Sequence, residues 1–325
     1  MKKLYLHIGI EKTGTSAIQR FLAINSQELL KNDFLYPEIG RWHDKSHHGI
    51  AFSITQNNLW DKSIVNVEIM LEKVLEEFNA SKASNLIIST EVLRRYYLND
   101  NFEIFKQWVS KNFDELHLII YLREQISWLS SMYNQLIKDP NVRYYKGVDE
   151  FIDEYKVMAD FYSLLTSWEL ALKGIEYQIH AISYQPKDQS VLNDFLNVLD
   201  VDKNNFNDDE HSSVNPSLKR PAFDLIRHFN KYEIDNRKKF NSKVVSVFDE
   251  NSVPAVSGEY SILSYDLNIR LKNYFNNSNK RLLNSYSVFL DLKKVASCDF
   301  VAYNGVTVKN ISTLVVELAR SKEIS

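Results

Sequence analysis

Cysteine is almost missing: Cys298 is the one such residue among 325. A single thiol makes no intramolecular disulfide and no cysteine-rich zinc site. Glycine and proline are scarce, at 8 and 6 residues, which excludes a collagenous, linker-like or low-complexity chain. No stretch approaches the roughly 20 apolar residues that a membrane-spanning helix needs. Neither sign of charge dominates. Lys and Arg number 39 against 42 Asp and Glu, for a formal charge of −3, and a general nucleic-acid binder would carry a basic excess. No nucleic-acid partner is therefore expected. The first residues open like a secretion signal, with Met1-Lys2-Lys3 basic and residues 4–10 mostly apolar. Glu11 and Lys12 then interrupt the run and no small-residue cleavage site follows, so the expected location is cytoplasmic.

What is present is an ordinary globular composition, 44% hydrophobic and 25% charged. A chain of this length buries roughly three quarters of its unfolded surface. Residues 3–9 alternate around Leu4, Leu6 and Ile8 and predict a buried first strand. Short apolar runs at 34–37, 85–90 and 175–182 predict further strands, and 115–122 is apolar enough for a central parallel strand covered on both faces. Between them lie helical patterns at 15–30, with Asn25 as a polar break, and at 64–78, 102–112, 125–138, 148–156, 160–173 and 191–199. Strands alternating with helices predict an α/β fold, a P-loop-like, mostly parallel sheet flanked by helices. After about residue 202 the pattern becomes mainly helical, at 221–231, around Arg237-Lys238-Lys239 and at 260–286. Residues 1–286 are expected to form the main α/β domain, with a helical C-terminal half. Residues 287–325 are a C-terminal extension in which a strand pair and a helix at 312–320 are expected.

The segment after the first strand is the most informative. Ile10-Glu11-Lys12-Thr13-Gly14-Thr15-Ser16 joins a buried strand to a helix start. The first turn of a helix leaves backbone N–H groups without partners, and these donors with the helix dipole attract an anion. Gly14 permits close approach of the backbone, Thr13, Thr15 and Ser16 add hydroxyl donors, and Lys12 adds a positive charge. A nucleoside-triphosphate P-loop places its lysine directly after the second glycine. Here Lys12 precedes Gly14 and Thr15 follows it, so that motif does not match.

The order Lys12-Thr13-Gly14-Thr15-Ser16 resembles the 5′-phosphosulfate loop of sulfotransferases that use 3′-phosphoadenosine 5′-phosphosulfate (PAPS) as donor. The resemblance implies a later Arg at a strand end and a Ser eight residues on, both binding the 3′-phosphate. Arg123 closes the 115–122 run and Ser131 lies eight residues beyond it, with Ser127 and Ser130 as lower-ranked rivals. Arginine suits phosphate because its planar fork donates paired, charge-assisted hydrogen bonds. The likeness to bacterial carbohydrate sulfotransferases takes in His7, Gln19, Ser89-Thr90-Glu91 and Trp128, together with 214–217 and 278–281. The chain has Ala17-Ile18 where animal cytosolic enzymes place a Trp, and its 237–239 stretch lacks the glycine of their late phosphate loop.

The resemblance thus implies sulfuryl transfer from PAPS, leaving the bisphosphate PAP, to a hydroxyl acceptor such as a carbohydrate or glycolipid, with no metal. Lys12 would serve both donor binding and catalysis. The base is open between Glu91, at the expected carboxyl end of a strand, and a histidine loop containing His47 and His48. His43 and His47 are four apart, a spacing that suits a metal on a helix, but no third ligand is indicated. A kinase-like nucleotide-binding protein and a non-catalytic PAP-binding protein remain the alternatives.

Overall fold

A computed structural model describes residues 1–56, 65–185, 190–207, 218, 220–250 and 263–291. In chain order it runs β1 (Lys3–His7), α1 (Thr15–Ile24), α2 (Ser26–Lys31), β2 (Phe34–Leu35), α3 (His48–Thr55), α4 (Val67–Ser81) and β3 (Asn85–Ser89). After a 3₁₀ stretch (Glu91–Leu98) come α5 (Asp100–Asn112), β4 (Glu115–Arg123), α6 (Gln125–Lys138), α7 (Val148–Tyr155) and α8 (Phe161–Ala171). They are followed by β5 (Tyr177–Tyr184), α9 (Ser190–Leu199), α10 (Arg220–Phe229), α11 (Arg237–Glu250) and α12 (Tyr265–Tyr286). Cys298, the 214–217 segment and the expected elements of 292–325 lie outside the described residues.

The five strands form one all-parallel sheet in the order β2-β3-β1-β4-β5. The α/β architecture expected from the alternation of strands and helices is what forms. Parallel strands are usually buried on both faces. Accordingly β4 is buried from Glu115 to Leu122, with Leu116, Leu118, Ile119, Ile120, Tyr121 and Leu122 fully inside. One sheet face packs Tyr5, Ile87, Ile119 and Tyr121 against Ile18, Phe21 and Leu22 of α1 and Phe195, Leu196 and Leu199 of α9. At about 25 cal/mol per Å² of apolar area, this burial is the main stabilising term for the sheet.

Register decides where the strand ends lie. Lys3 stands opposite Asn85 on one side and Glu115 on the other, and His7 opposite Ser89 and Ile119. β1 therefore stops where β4 still has four residues to run. Ile8 extends the pairing by donating its N–H to the Ile119 carbonyl (3.0 Å). The chain then leaves the sheet while Tyr121, Leu122 and Arg123 continue beside it, paired to Ile182, Ser183 and Tyr184 of β5.

Local differences from the sequence expectation have local causes. The helix expected over 15–30 is two helices broken at Asn25, whose side-chain amide donates to the Phe21 carbonyl (3.0 Å) and so competes with helix continuation. The 3₁₀ stretch after β3 is not among the elements that the sequence predicts. Gly174 ends the region after α8 with φ +94°, the left-handed geometry that favours glycine.

The chain divides into two compact units. The first contains Met1–Glu124, Asp160–Ser213 and Ser278–Leu290, and so holds the whole sheet. The second includes Gln125–Ala159 and Val214–Asn277. Within it α10 packs on α6 and α11, and Asn230 ties them by donating to the carbonyls of Ile137 (2.9 Å) and Tyr144 (3.0 Å). Among the described residues no helix is long and apolar enough to cross a membrane.

Candidate functional site

The loop after β1 is built by close packing. A Cβ on Gly9 would lie 2.7 Å from Thr15 Oγ1 and 3.2 Å from His7 Nε2, so only glycine lets the loop fold over the strand end. Thr13 donates its hydroxyl to the Ile10 carbonyl (2.6 Å), and Thr15 reaches the same oxygen at 3.4 Å. Both threonines are buried. The structure corrects the expectation that their hydroxyls are offered to an anion: they hold the turn closed, and Ser16 is the hydroxyl residue left exposed. Gly14 (φ +84°) precedes α1, and Ala17 and Ile18 donate their N–H groups to its carbonyl (2.9 and 3.3 Å). No side chain caps this helix and no acidic residue occupies its first turn. The helix start therefore keeps the positive character that suits an oxyanion.

Lys12 takes φ +70°, a left-handed conformation uncommon outside glycine. Its carbonyl accepts a hydrogen bond from Arg123 Nη1 at 3.1 Å. The overrun of β4 makes this contact, and the guanidinium also lies 5.9 Å from the Tyr184 ring centre. The strand-end arginine and the lysine loop, 111 residues apart in sequence, thus meet at one edge of the sheet. Ser131 lies on α6, within the second unit, as does its rival Ser130, whose hydroxyl donates back to the Ile126 carbonyl (2.9 Å).

The end of β3 contributes a second polar group to the same edge, since β1, β3 and β4 all run parallel. Glu91 Oε2 accepts from Gln19 Nε2 of α1 (2.9 Å). Its Oε1 lies 3.9 Å from His48 Nε2, which is also 3.5 Å from Asp44 Oδ2. The other ring nitrogen of His48 shares a 2.8 Å hydrogen bond with the Thr90 hydroxyl. His48 therefore stands between two carboxylates. Glu11, next to Lys12, pairs with Arg94 Nη1 of the 3₁₀ stretch at 2.7 Å.

His47 has a different place from its neighbour. It is fully buried, its Nδ1 accepts from the Ser89 N–H (3.1 Å), and its Nε2 donates to the Pro37 carbonyl (2.9 Å). Burial pushes its pKa down to about 3. With both nitrogens engaged inside the fold, His47 is corrected from candidate base to a structural pin between β3 and the 36–47 turn. His7 is likewise buried, its pKa lowered to about 3 by burial, with Nδ1 2.8 Å from the Ser89 hydroxyl and Nε2 without a hydrogen-bond partner among the described residues. His43 is exposed in that turn, off any helix, beside Trp42. No cluster of three His, Cys, Asp or Glu suited to a metal occurs among the described residues.

Nothing in the sequence marks Asp44 or Arg94 as part of this edge, or pairs Glu11 with Arg94. A spacing of 83 residues between Glu11 and Arg94 leaves no local trace, and Asp44 reads as an ordinary turn residue. Residues 278–281 lie on α12, where Ser278 donates to Asp160 Oδ1 (2.6 Å) and Arg281 stacks 4.1 Å from the Tyr162 ring centre.

No protein-family model matches the chain. A protein of Archaeoglobus fulgidus described only as uncharacterized is 27% identical over 203 residues, which is 62% of this chain. The chain covers about half, 53%, of that relative's length.

Proposed function

We propose that the chain is a PAPS-dependent sulfotransferase acting on a hydroxyl acceptor, with a carbohydrate or glycolipid as the favoured class. One observation carries the reading: Arg123 at the end of β4 donates to the carbonyl of Lys12. The two groups required to hold opposite ends of a bisphosphorylated donor are neighbours at the carboxyl edge of a parallel sheet, where open α/β sheets bind ligands. The donor set fits a sulfated and phosphorylated nucleotide, because the start of α1 has backbone N–H groups, a glycine at its cap and no competing acidic residue.

PAPS would supply an activated sulfuryl group. The chain's own residues would do the rest. The N–H groups around Gly14 to Ser16 would hold the 5′-phosphate, and the guanidinium of Arg123 the 3′-phosphate. Lys12 would put positive charge where the bridging oxygen becomes anionic as its bond to sulfur breaks. Glu91 would accept the acceptor hydroxyl's proton as the new oxygen–sulfur bond forms. Gln19 holds one carboxylate oxygen of Glu91, which fixes the direction of the other toward His48.

Calorimetric titration with adenosine 3′,5′-bisphosphate, ATP and GTP tests the reading. Binding of the bisphosphate in preference to both triphosphates is expected. Tight binding of ATP with none of the bisphosphate would overturn it in favour of a kinase-like protein.

A further inference from the structure

Lys12 is the one residue of the loop whose backbone is both left-handed and not glycine, at φ +70°. Such a conformation is strained and persists only where surrounding contacts over-determine it. Those contacts can be named. Thr13 closes the turn on Ile10, and Arg123 holds the Lys12 carbonyl. On the amino side of Lys12, Glu11 is held by Arg94, whose side chain is 5% exposed. Arg94 is itself placed by its backbone, since Trp168 Nε1 donates to its carbonyl at 3.0 Å.

The same 3₁₀ stretch reaches past the loop as well. Glu91, three residues before Arg94, takes the amide of Gln19 in α1. The segment after β3 thus grips the chain on both sides of residues 12–16, at Glu11 by an ion pair and at Gln19 by a hydrogen bond. The guanidinium is nearly buried while the Glu11 carboxylate is 36% exposed, so this charge-assisted, directional bond is only partly screened by solvent.

We propose that Arg94 is a positioning residue: through Glu11 it holds Lys12 in its left-handed conformation and so fixes the anion loop. Arg94 acts through another side chain and is assigned no contact with the reacting atoms. Its functional consequence rests on the donor-binding reading above, but its structural consequence does not.

The test has two arms on the full-length chain. Hydrogen exchange measured by mass spectrometry compares residues 11–17 with the β4 core, 116–122, in the wild type, Arg94→Met, Glu11→Gln and the double variant. Arg94→Met should speed loop exchange about tenfold or more, the weight of one charge-assisted contact, and leave β4 unchanged. Adding Glu11→Gln to Arg94→Met should add little, because both remove one tie. An unchanged loop, equal acceleration of loop and β4, or fully additive effects would each overturn the proposal. The second arm is calorimetric affinity for adenosine 3′,5′-bisphosphate, expected to fall by a similar factor in Arg94→Met. Unchanged affinity beside a loosened loop would remove the positioning role. If the wild type binds no bisphosphate, the donor reading fails and the exchange arm alone decides on the tie.

Discussion

At the amino ends of the strands, Lys3, Glu115, His117, Gln178 and His180 share the sheet face that carries His7 and Arg123 toward the carboxyl ends. The amino-end group is closed on itself. Glu115 accepts from Gln178 (2.7 Å) and lies 3.2 Å from Lys3 Nζ and 3.0 Å from His117 Nε2, and His117 Nδ1 meets His180 Nε2 at 2.9 Å. Burial opposes the charge on Glu115, but Lys3 and His117 outweigh it and hold its pKa below the ordinary carboxylate value. Burial also lowers His117 against the pull of Glu115. The two charged groups there, Lys3 and Glu115, are paired within the fold. At the carboxyl end the helix start has no side-chain cap, and the Thr13 and Thr15 hydroxyls turn inward to Ile10. The two polar clusters differ in how they are compensated: the ion pair of Lys3 and Glu115 is met inside the fold, whereas the start of α1 keeps an excess of positive dipole, the character that favours an anion.

The largest effect that separates the two ends concerns the proposed base. Glu91→Gln keeps size and the contact to Gln19 but is a very poor base, so turnover of PAPS with a carbohydrate acceptor should fall roughly 10²–10⁴-fold. Glu115→Gln, at the other end, should leave turnover within about twofold and lower stability instead, by about 1–3 kcal/mol for a buried charged hydrogen-bond network. If Glu91→Gln stays active while His48→Asn is dead, the base is the histidine. If Glu115→Gln is the variant that loses turnover, the assignment of the two ends is reversed.

A smaller effect sharpens the binding half of the comparison. Arg123→Ala should weaken adenosine 3′,5′-bisphosphate roughly 10- to 100-fold, the range of about 1.5–3 kcal/mol for a charge-assisted contact. The same variant should weaken adenosine 5′-phosphate much less. Equal losses for both ligands would mean that Arg123 serves only to brace the Lys12 carbonyl, as the 3.1 Å contact already does.

Which of these features the sequence discloses depends on range. β1, the loop, β3, β4 and α6 are legible because each rests on a periodicity or a local motif, and the parallel sheet then brings the ends of its strands to one edge. The inward turn of Thr13 and Thr15 is not legible, since a hydroxyl near a helix start reads the same whether it faces a ligand or the Ile10 carbonyl. Nor does sequence separate His47 from His48. The two are adjacent at the start of α3, where successive side chains diverge by about 100°. One is therefore sealed under the sheet edge and the other faces Asp44 and Glu91. Arg94 and Glu11 meet only because a short 3₁₀ stretch returns over the loop.

The smallest effect is graded with pH and reads the sealed histidines. His7 and His47 have folded pKa values lowered by burial to about 3, against 6.5 for an ordinary histidine. A depressed histidine pKa means that the unfolded chain binds more protons than the folded one between those two values. Stability is then fully present above about pH 6.5 and declines as pH falls toward about 3, by at most about 1.4 kcal/mol per pH unit for each histidine. His117 is lowered in the same sense and adds to the decline, while the depressed pKa of Glu115 adds loss only below the ordinary carboxylate value. Urea unfolding measured from pH 7.5 to 5 should show a falling midpoint in the wild type. His47→Gln should start less stable, because the Pro37 and Ser89 contacts are disturbed, but its midpoint should fall less steeply with acid. A slope equal to that of the wild type would show that His47 takes up its proton without unfolding, and would reopen the histidine to a role at the sheet edge.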